Sequence, residues 1–120
     1  MKYNCVITNV NEEEVTVKIG DIEITGFVNF GTLKRIGKKA VVDIRLYDDL
    51  KICESDKNEN IIVRKGNTFE YSLYGILDIG NSTLKSEIDF EIDVEELFDY
   101  GYLDGKRVKI DTVRIDFEFV

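Results

Sequence analysis

An all-β fold follows from three features of this 120-residue chain. Apolar residues alternate at period two along most of its length, no strand–helix–strand rhythm occurs, and Gly, Asn, Asp and Ser clusters punctuate the alternation. The expected architecture is a single β-domain over residues 1–120, an antiparallel β-barrel or sandwich of about 8–9 strands with one short helix near 94–100.

The elements follow in order. Val15, Val17 and Ile19 alternate with Thr16 and Lys18, and Ile22 and Ile24 resume the pattern after Gly20-Asp21. A two-residue loop opening on glycine suits a type I′ or II′ hairpin, with Ile19 opposite Ile22. Ala40, Val42, Ile44 and Leu46 share one face against Asp43 and Arg45, and the same parity returns at Leu50 and Ile52 after Tyr47-Asp48-Asp49. Glu54 to Asn60 read as a loop, Ile61 to Val63 as a short apolar run, and Lys65-Gly66-Asn67 as a turn. Phe69, Tyr71, Leu73, Leu77 and Ile79 define a long strand in which Gly75 marks a bulge or a close approach. Gly80-Asn81-Ser82 turns the chain, and Leu84, Ile88, Phe90, Ile92 and Val94 return, so 68–79 and 83–94 read as one long hairpin.

Asp93 at a candidate N-cap and Glu96 three residues on resemble a capping box, which predicts a short helix through Leu97, Phe98 and Tyr100 before Gly101. Val108 and Ile110 then run on even positions, whereas Val113, Ile115, Phe117 and Phe119 run on odd ones. The switch near Asp111-Thr112 demands a bulge or bend, since an unbroken strand would expose half of these side chains. An OB-like barrel is a sub-case of the expected fold, because long bulged strands and one short helix between strands suit it.

Composition narrows the chemistry. The chain has no histidine, which removes imidazole general bases, Ser-His and Cys-His nucleophile pairs and histidine metal sites. Cys5 and Cys53 form no Cys-x-x-Cys pattern and are expected as buried free thiols. Gly26 to Gly31 has P-loop spacing, but Thr32 stands where lysine is required, and Gly31 to Gly37 is one residue too long. Asn81-Ser82-Thr83 matches a glycosylation acceptor and is read as a turn. The first ten residues contain no signal-peptide apolar core and no stretch approaches the ~18 apolar residues of a membrane span, so a cytoplasmic protein is expected. No cofactor or metal motif is present, and the chain reads as non-catalytic.

Charge is segregated. Sixteen basic and twenty-four acidic residues give a net charge of −8. Residues 86–105 hold Glu87, Asp89, Glu91, Asp93, Glu95, Glu96, Asp99 and Asp104 and no base, so acids and bases are equal in number elsewhere. With Ile88, Phe90, Ile92 and Val94 inside, Glu87, Asp89, Glu91 and Asp93 are expected in one outward column at about 6.5–7 Å spacing. Phe98, Tyr100 and Tyr102 add aromatics among the acids. This pattern suits docking of a basic protein partner, in the manner of a bacterial immunity or antitoxin protein. The plainer alternative is a solvated outer face neutralised by Arg107, Lys109 and Arg114.

Two other readings compete. Phe27 and Phe30 lie beside Lys34, Arg35, Lys38 and Lys39, a set that suits single-stranded nucleic acid or oligosaccharide on an OB-like barrel, although the net charge argues against nucleic acid. Alternatively the barrel encloses a small apolar ligand, with Tyr74 and Ile76 on a second apolar surface. Apolar residues on both faces near Tyr74 would also allow a homodimer, and nothing points to a membrane.

Overall fold

Each alternating run forms a strand, and the runs divide between two sheets. The computed structural model describes residues 1–29 and 36–120. In the first sheet, β1 (Lys2–Asn11), β2 (Glu14–Ile19), β3 (Ile22–Phe27), β4 (Lys39–Leu46) and β11 (Ile115–Phe119) close a barrel in the order β1-β2-β3-β11-β4. The expected hairpin is present: Ile19 faces Ile22 across a turn in which Gly20 takes a positive φ of 60°. All neighbours are antiparallel except β3 and β11, which run parallel and meet only at Phe27 and Asp116. The alternating apolar side chains Ile7, Val15, Val17, Ile24, Val42, Ile44 and Ile115 fill the interior. Phe117 completes it by lying against Gly26, where an added Cβ would sit 2.7 Å from the ring.

Residues between β4 and β11 build the second sheet. It contains β5 (Lys51–Glu54), β6 (Ile61–Arg64), β7 (Tyr71–Asp78), β8 (Thr83–Lys85), β9 (Asp89–Glu91) and β10 (Arg107–Thr112). Their order is β5-β10-β7-β8-β9, with β6 pairing the first half of β7 and β8 the second. One hydrophobic cluster runs through both sheets.

The chain therefore crosses between sheets twice, at residues 47–50 and at 113–114. This explains the parity switch near Asp111-Thr112, since β10 belongs to one sheet and β11 to the other. Val113 lies at the crossing and is exposed, so it leaves the apolar row it was expected to join. The two crossings touch: the Tyr47 N–H donates to the Arg114 carbonyl at 3.2 Å. Arg114 also places its guanidinium over both aromatic neighbours, 4.2 Å from the Phe27 ring centre and 4.1 Å from that of Tyr47.

Other ties join the sheets. The Tyr71 hydroxyl accepts from the Thr25 N–H at 2.8 Å, satisfying a β3 donor beside the short contact with β11. On the opposite side the Tyr3 hydroxyl donates to the Asp89 carbonyl at 2.7 Å and accepts from the Asp89 N–H at 3.0 Å.

Four local expectations are corrected. The return strand 83–94 is not continuous: β8 ends at Lys85, the chain turns through Ser86–Ile88, and β9 folds back on β8, with Leu84 opposite Phe90. Gly75 permits this path, since the Lys85 carbonyl lies against its backbone where a side chain would stand, and the Ser86 hydroxyl donates to the Tyr74 carbonyl. The predicted helix is replaced by two 3-10 turns, Val94–Leu97 and Gly101–Leu103. Its capping box does not form, because Asp93 makes no side-chain cap and the Glu96 carboxylate instead accepts from the Asp49 N–H at 3.0 Å. Val94 points outward, beyond the reach of the β9 alternation, and Cys53 is exposed because its neighbour Ile52 takes the inward position.

Replacing Gly75 by alanine forces the Lys85–Ser86 backbone away from β7, with an expected loss of about 2–3 kcal/mol from overpacking. Urea unfolding checks this, and a midpoint equal to that of the wild type would contradict the close approach.

Candidate functional site

The inward–outward alternation of the acidic segment holds where it is strand. Ile88, Phe90 and Ile92 are buried, while Asp89 and Glu91 lie on the other face of β9. The expected single column of four acids is not built, because the chain turns before β9. Glu87, in that turn, reaches back so that its carboxylate accepts from the Ile62 N–H at 3.1 Å and caps the edge of β6. Glu96 and Asp104 have comparable tasks, accepting from Asp49 N–H and, at 2.9 Å, from Ile79 N–H. Asp89, Glu91, Asp93, Glu95 and Asp99 accept no side-chain hydrogen bond among the described residues.

The turn before β9 carries the later acids to the joint between the sheets. Glu91, Asp93 and Glu96 line one side of a cleft of about 260 Å³; Arg45, Leu46, Tyr47, Asp48, Leu50 and Asp116 line the rest. Five carboxylates thus surround a partly apolar floor with one arginine among them. Asp48 and Asp116 were not legible as members of this set. Their sequence signals were the acidic break after β4 and the outward parity of Asp116, and neither reveals that the two crossings meet here.

Among the described residues, no Lys or Arg nitrogen lies within 4.0 Å of any of the eight acids of 86–105. The three bases expected to neutralise them pair with groups other than those eight acids, Arg114 with Asp116 of the cleft. Arg107 donates to Asn60, Lys109 pairs with Asp111 at 3.5 Å, and Arg114 with Asp116 at 2.7 Å. Arg45 lies 3.5 Å from Asp43 and lines the cleft together with Glu91, Asp93 and Glu96. Asp111 shows what a neutralised carboxylate looks like here. Burial alone would raise its pKa, but the Ser72 hydroxyl at 2.6 Å, together with Lys109 and Lys65, outweighs burial and holds it below the usual carboxylate range.

The aromatics of the segment separate. Tyr100 is half-buried against the core, whereas Phe98 and Tyr102 are 75% and 70% exposed. The turns that carry them are fixed by buried Leu97 and Leu103 and by backbone bonds from Tyr100 to Leu97 and from Leu103 to Tyr100. Among the described residues, no group of three or more Cys, Asp and Glu converges in a way that would hold a metal ion.

Of the residues of the rival site, Phe27, Lys38 and Lys39 are among the described ones. Phe30, Lys34 and Arg35 lie outside the described residues. Lys38 and Lys39 are exposed. Phe27 is half-buried and engaged on two sides, by Arg114 and by an edge-on contact with Phe69 at 5.8 Å. Of the residues proposed for an apolar ligand surface, Tyr74 and Ile76 are half-buried on the second sheet, with the Lys57 ammonium 4.9 Å from the Tyr74 ring centre. The barrel interior holds the core side chains described above. No helix among the described residues is long and apolar enough to cross a membrane.

Two substitutions test this electrostatic description. Arg114→Ala removes an ion pair and two ring contacts at the joint and is expected to cost about 1–2 kcal/mol, with Arg114→Lys recovering only part because an ammonium cannot stack flat between rings. Equal urea midpoints for arginine and alanine would contradict the role given to the stack. For Asp111 the folded-state pKa is depressed, so its contribution is complete above the unfolded value of about 4 and is lost as pH falls through and below it. Asp111→Asn therefore lowers the urea midpoint at neutral pH, and the gap from wild type closes towards pH ~3; a gap independent of pH would refute the assignment.

Comparison with curated proteins and with solved structures gives no match. In a comparison with protein families, the model of the family described as "Uncharacterised conserved protein UCP019853" matches residues 1–120. The match spans the whole sequence, and the chain belongs to that family.

Proposed function

We propose that this protein is a cytoplasmic, non-catalytic interaction domain that docks a basic protein partner through residues 87–104 and the cleft they help to line. The observation that carries the reading is the absence, among the described residues, of any base within ion-pair distance of those eight acids. Uncompensated charge of one sign on a fixed surface accelerates encounter with a cation and disfavours other partners. The same charge confined to solvent would be served equally well by mixed ion pairs, which this chain uses on its other faces. Immunity and antitoxin proteins, which cover basic active sites, have this character, and the likeness is one of class only.

We read the barrel as OB-like: five strands, opening on a meander, with a seam between β3 and β11 closed at a single residue pair. That architecture, with exposed Lys38 and Lys39, supports a second reading, single-stranded nucleic acid at residues 27–39. Against it stand the engagement of Phe27 by Arg114 and Phe69 and the net charge of −8. Fluorescence-anisotropy titration with a single-stranded oligonucleotide at low salt decides this point, and the docking reading expects no binding.

The principal test uses acids whose carboxylates accept no hydrogen bond among the described residues. A variant with Glu91→Gln, Asp93→Asn, Glu95→Gln and Asp99→Asn keeps the carboxylates of Glu87, Glu96 and Asp104 in their capping roles, and its urea midpoint should match or exceed that of the wild type. Used as bait beside the wild type, it should lose at least about tenfold of the retained basic protein at low salt, with the difference shrinking at high salt. Equal recovery on both baits overturns the reading.

A further inference from the structure

The exposed aromatics lie within the uncompensated charge, and together they specify more about a partner than its sign. Eight large hydrophobic side chains are prominently exposed among the described residues. Four of them are Val94 and Tyr102 on the 3-10 turns, Phe98 just after the first turn, and Tyr47 in the cleft. Phe98 and Tyr102 are the two most exposed of the eight. They are not carried on a loose loop. Leu97 is 5% exposed and Leu103 0%, each beside one of the outward rings. The Gly105 N–H donates to the Leu77 carbonyl at 2.8 Å, and Asp104 accepts from Ile79, so the end of the second turn is bonded to the tip of the β7–β8 hairpin. The segment thus buries one apolar set to hold another in water.

The surroundings select the occupant. Glu95, Glu96 and Asp99 flank the rings in sequence, and Glu96 continues into the cleft wall with Glu91 and Asp93. A second copy of this chain seated ring to ring would bring these acids against themselves, a repulsive arrangement of like charges. A purely cationic ligand would leave both rings wet. We infer that Phe98 and Tyr102 are the apolar anchors of the docking surface and that its partner is an amphipathic basic segment, an apolar side chain flanked by lysine or arginine. This inference rests on the docking reading above and adds the apolar requirement. Aromatic anchors inside a charged rim are the usual distribution of binding energy at protein interfaces.

The test uses three labelled synthetic peptides: an amphipathic lysine–leucine peptide, oligolysine of equal charge, and an amphipathic glutamate–leucine peptide. The wild type should bind the first about tenfold more tightly than the second, and the third not at all. Phe98→Ala with Tyr102→Ala should abolish that preference and leave oligolysine binding unchanged; a urea midpoint near that of the wild type, as expected for exposed side chains, shows that the fold is retained. Equal affinity of the wild type for the two lysine peptides, or a preference that survives the double substitution, overturns the apolar anchors and leaves charge-driven docking standing. Binding of the glutamate peptide overturns the charge requirement, and failure of both lysine peptides overturns the inference together with the docking reading. Sedimentation of the wild type as a dimer that Tyr102→Ala dissociates assigns the surface to a second copy and likewise overturns it.

Discussion

The organisation of this molecule depends on one joint. A barrel whose fourth and last strands are neighbours must admit a whole second sheet between them in sequence and still close. The ends of that insertion therefore have to lie together, and Tyr47 and Arg114 hold them there by a backbone bond and by a guanidinium set between the rings of Tyr47 and Phe27. A planar cation suits this place because it can face two π-systems and still donate in its own plane, here to Asp116 at 2.7 Å. The contact that joins the sheets is also one wall of the acidic cleft.

The second sheet brings the charge to that wall through a steric event elsewhere. At Gly75 the backbone of β8 comes too close to β7 for any side chain to intervene, and the strand leaves the pairing there. What would have been a long flat hairpin becomes a short strand, a turn and a second short strand. A straight return would have spread the carboxylates along a sheet face. The turned path sets Glu91 and Asp93 in one cleft with Asp48 and Asp116.

Local pattern made much of this visible. The Gly20-Asp21 turn with Ile19 facing Ile22, the inward rows of β4 and β7, and the importance of Gly75 are all readable, because each depends on alternation within a few residues. The pattern is silent on which sheet a strand joins. Leu50 and Ile52 keep the parity of Ile44 and Leu46 although the chain has changed sheets between them, whereas the change between β10 and β11 does break parity and so leaves a trace at Asp111-Thr112. Asp93 and Glu96 satisfy the local rule for a helix cap, yet a tertiary donor, the Asp49 N–H, takes the glutamate. Asp48 and Asp116 join the cleft through a contact between segments almost seventy residues apart, which no window along the sequence contains.

The phenol of Tyr3 carries a consequence for the acidic surface. It engages both the N–H and the carbonyl of Asp89, which locks the phase of a three-residue strand that has little pairing of its own. Sliding that strand by one position would turn Phe90 into water and drive two carboxylates towards hydrocarbon. A hydroxyl on the first strand of the barrel thereby decides which way the negative field of the second sheet is aimed.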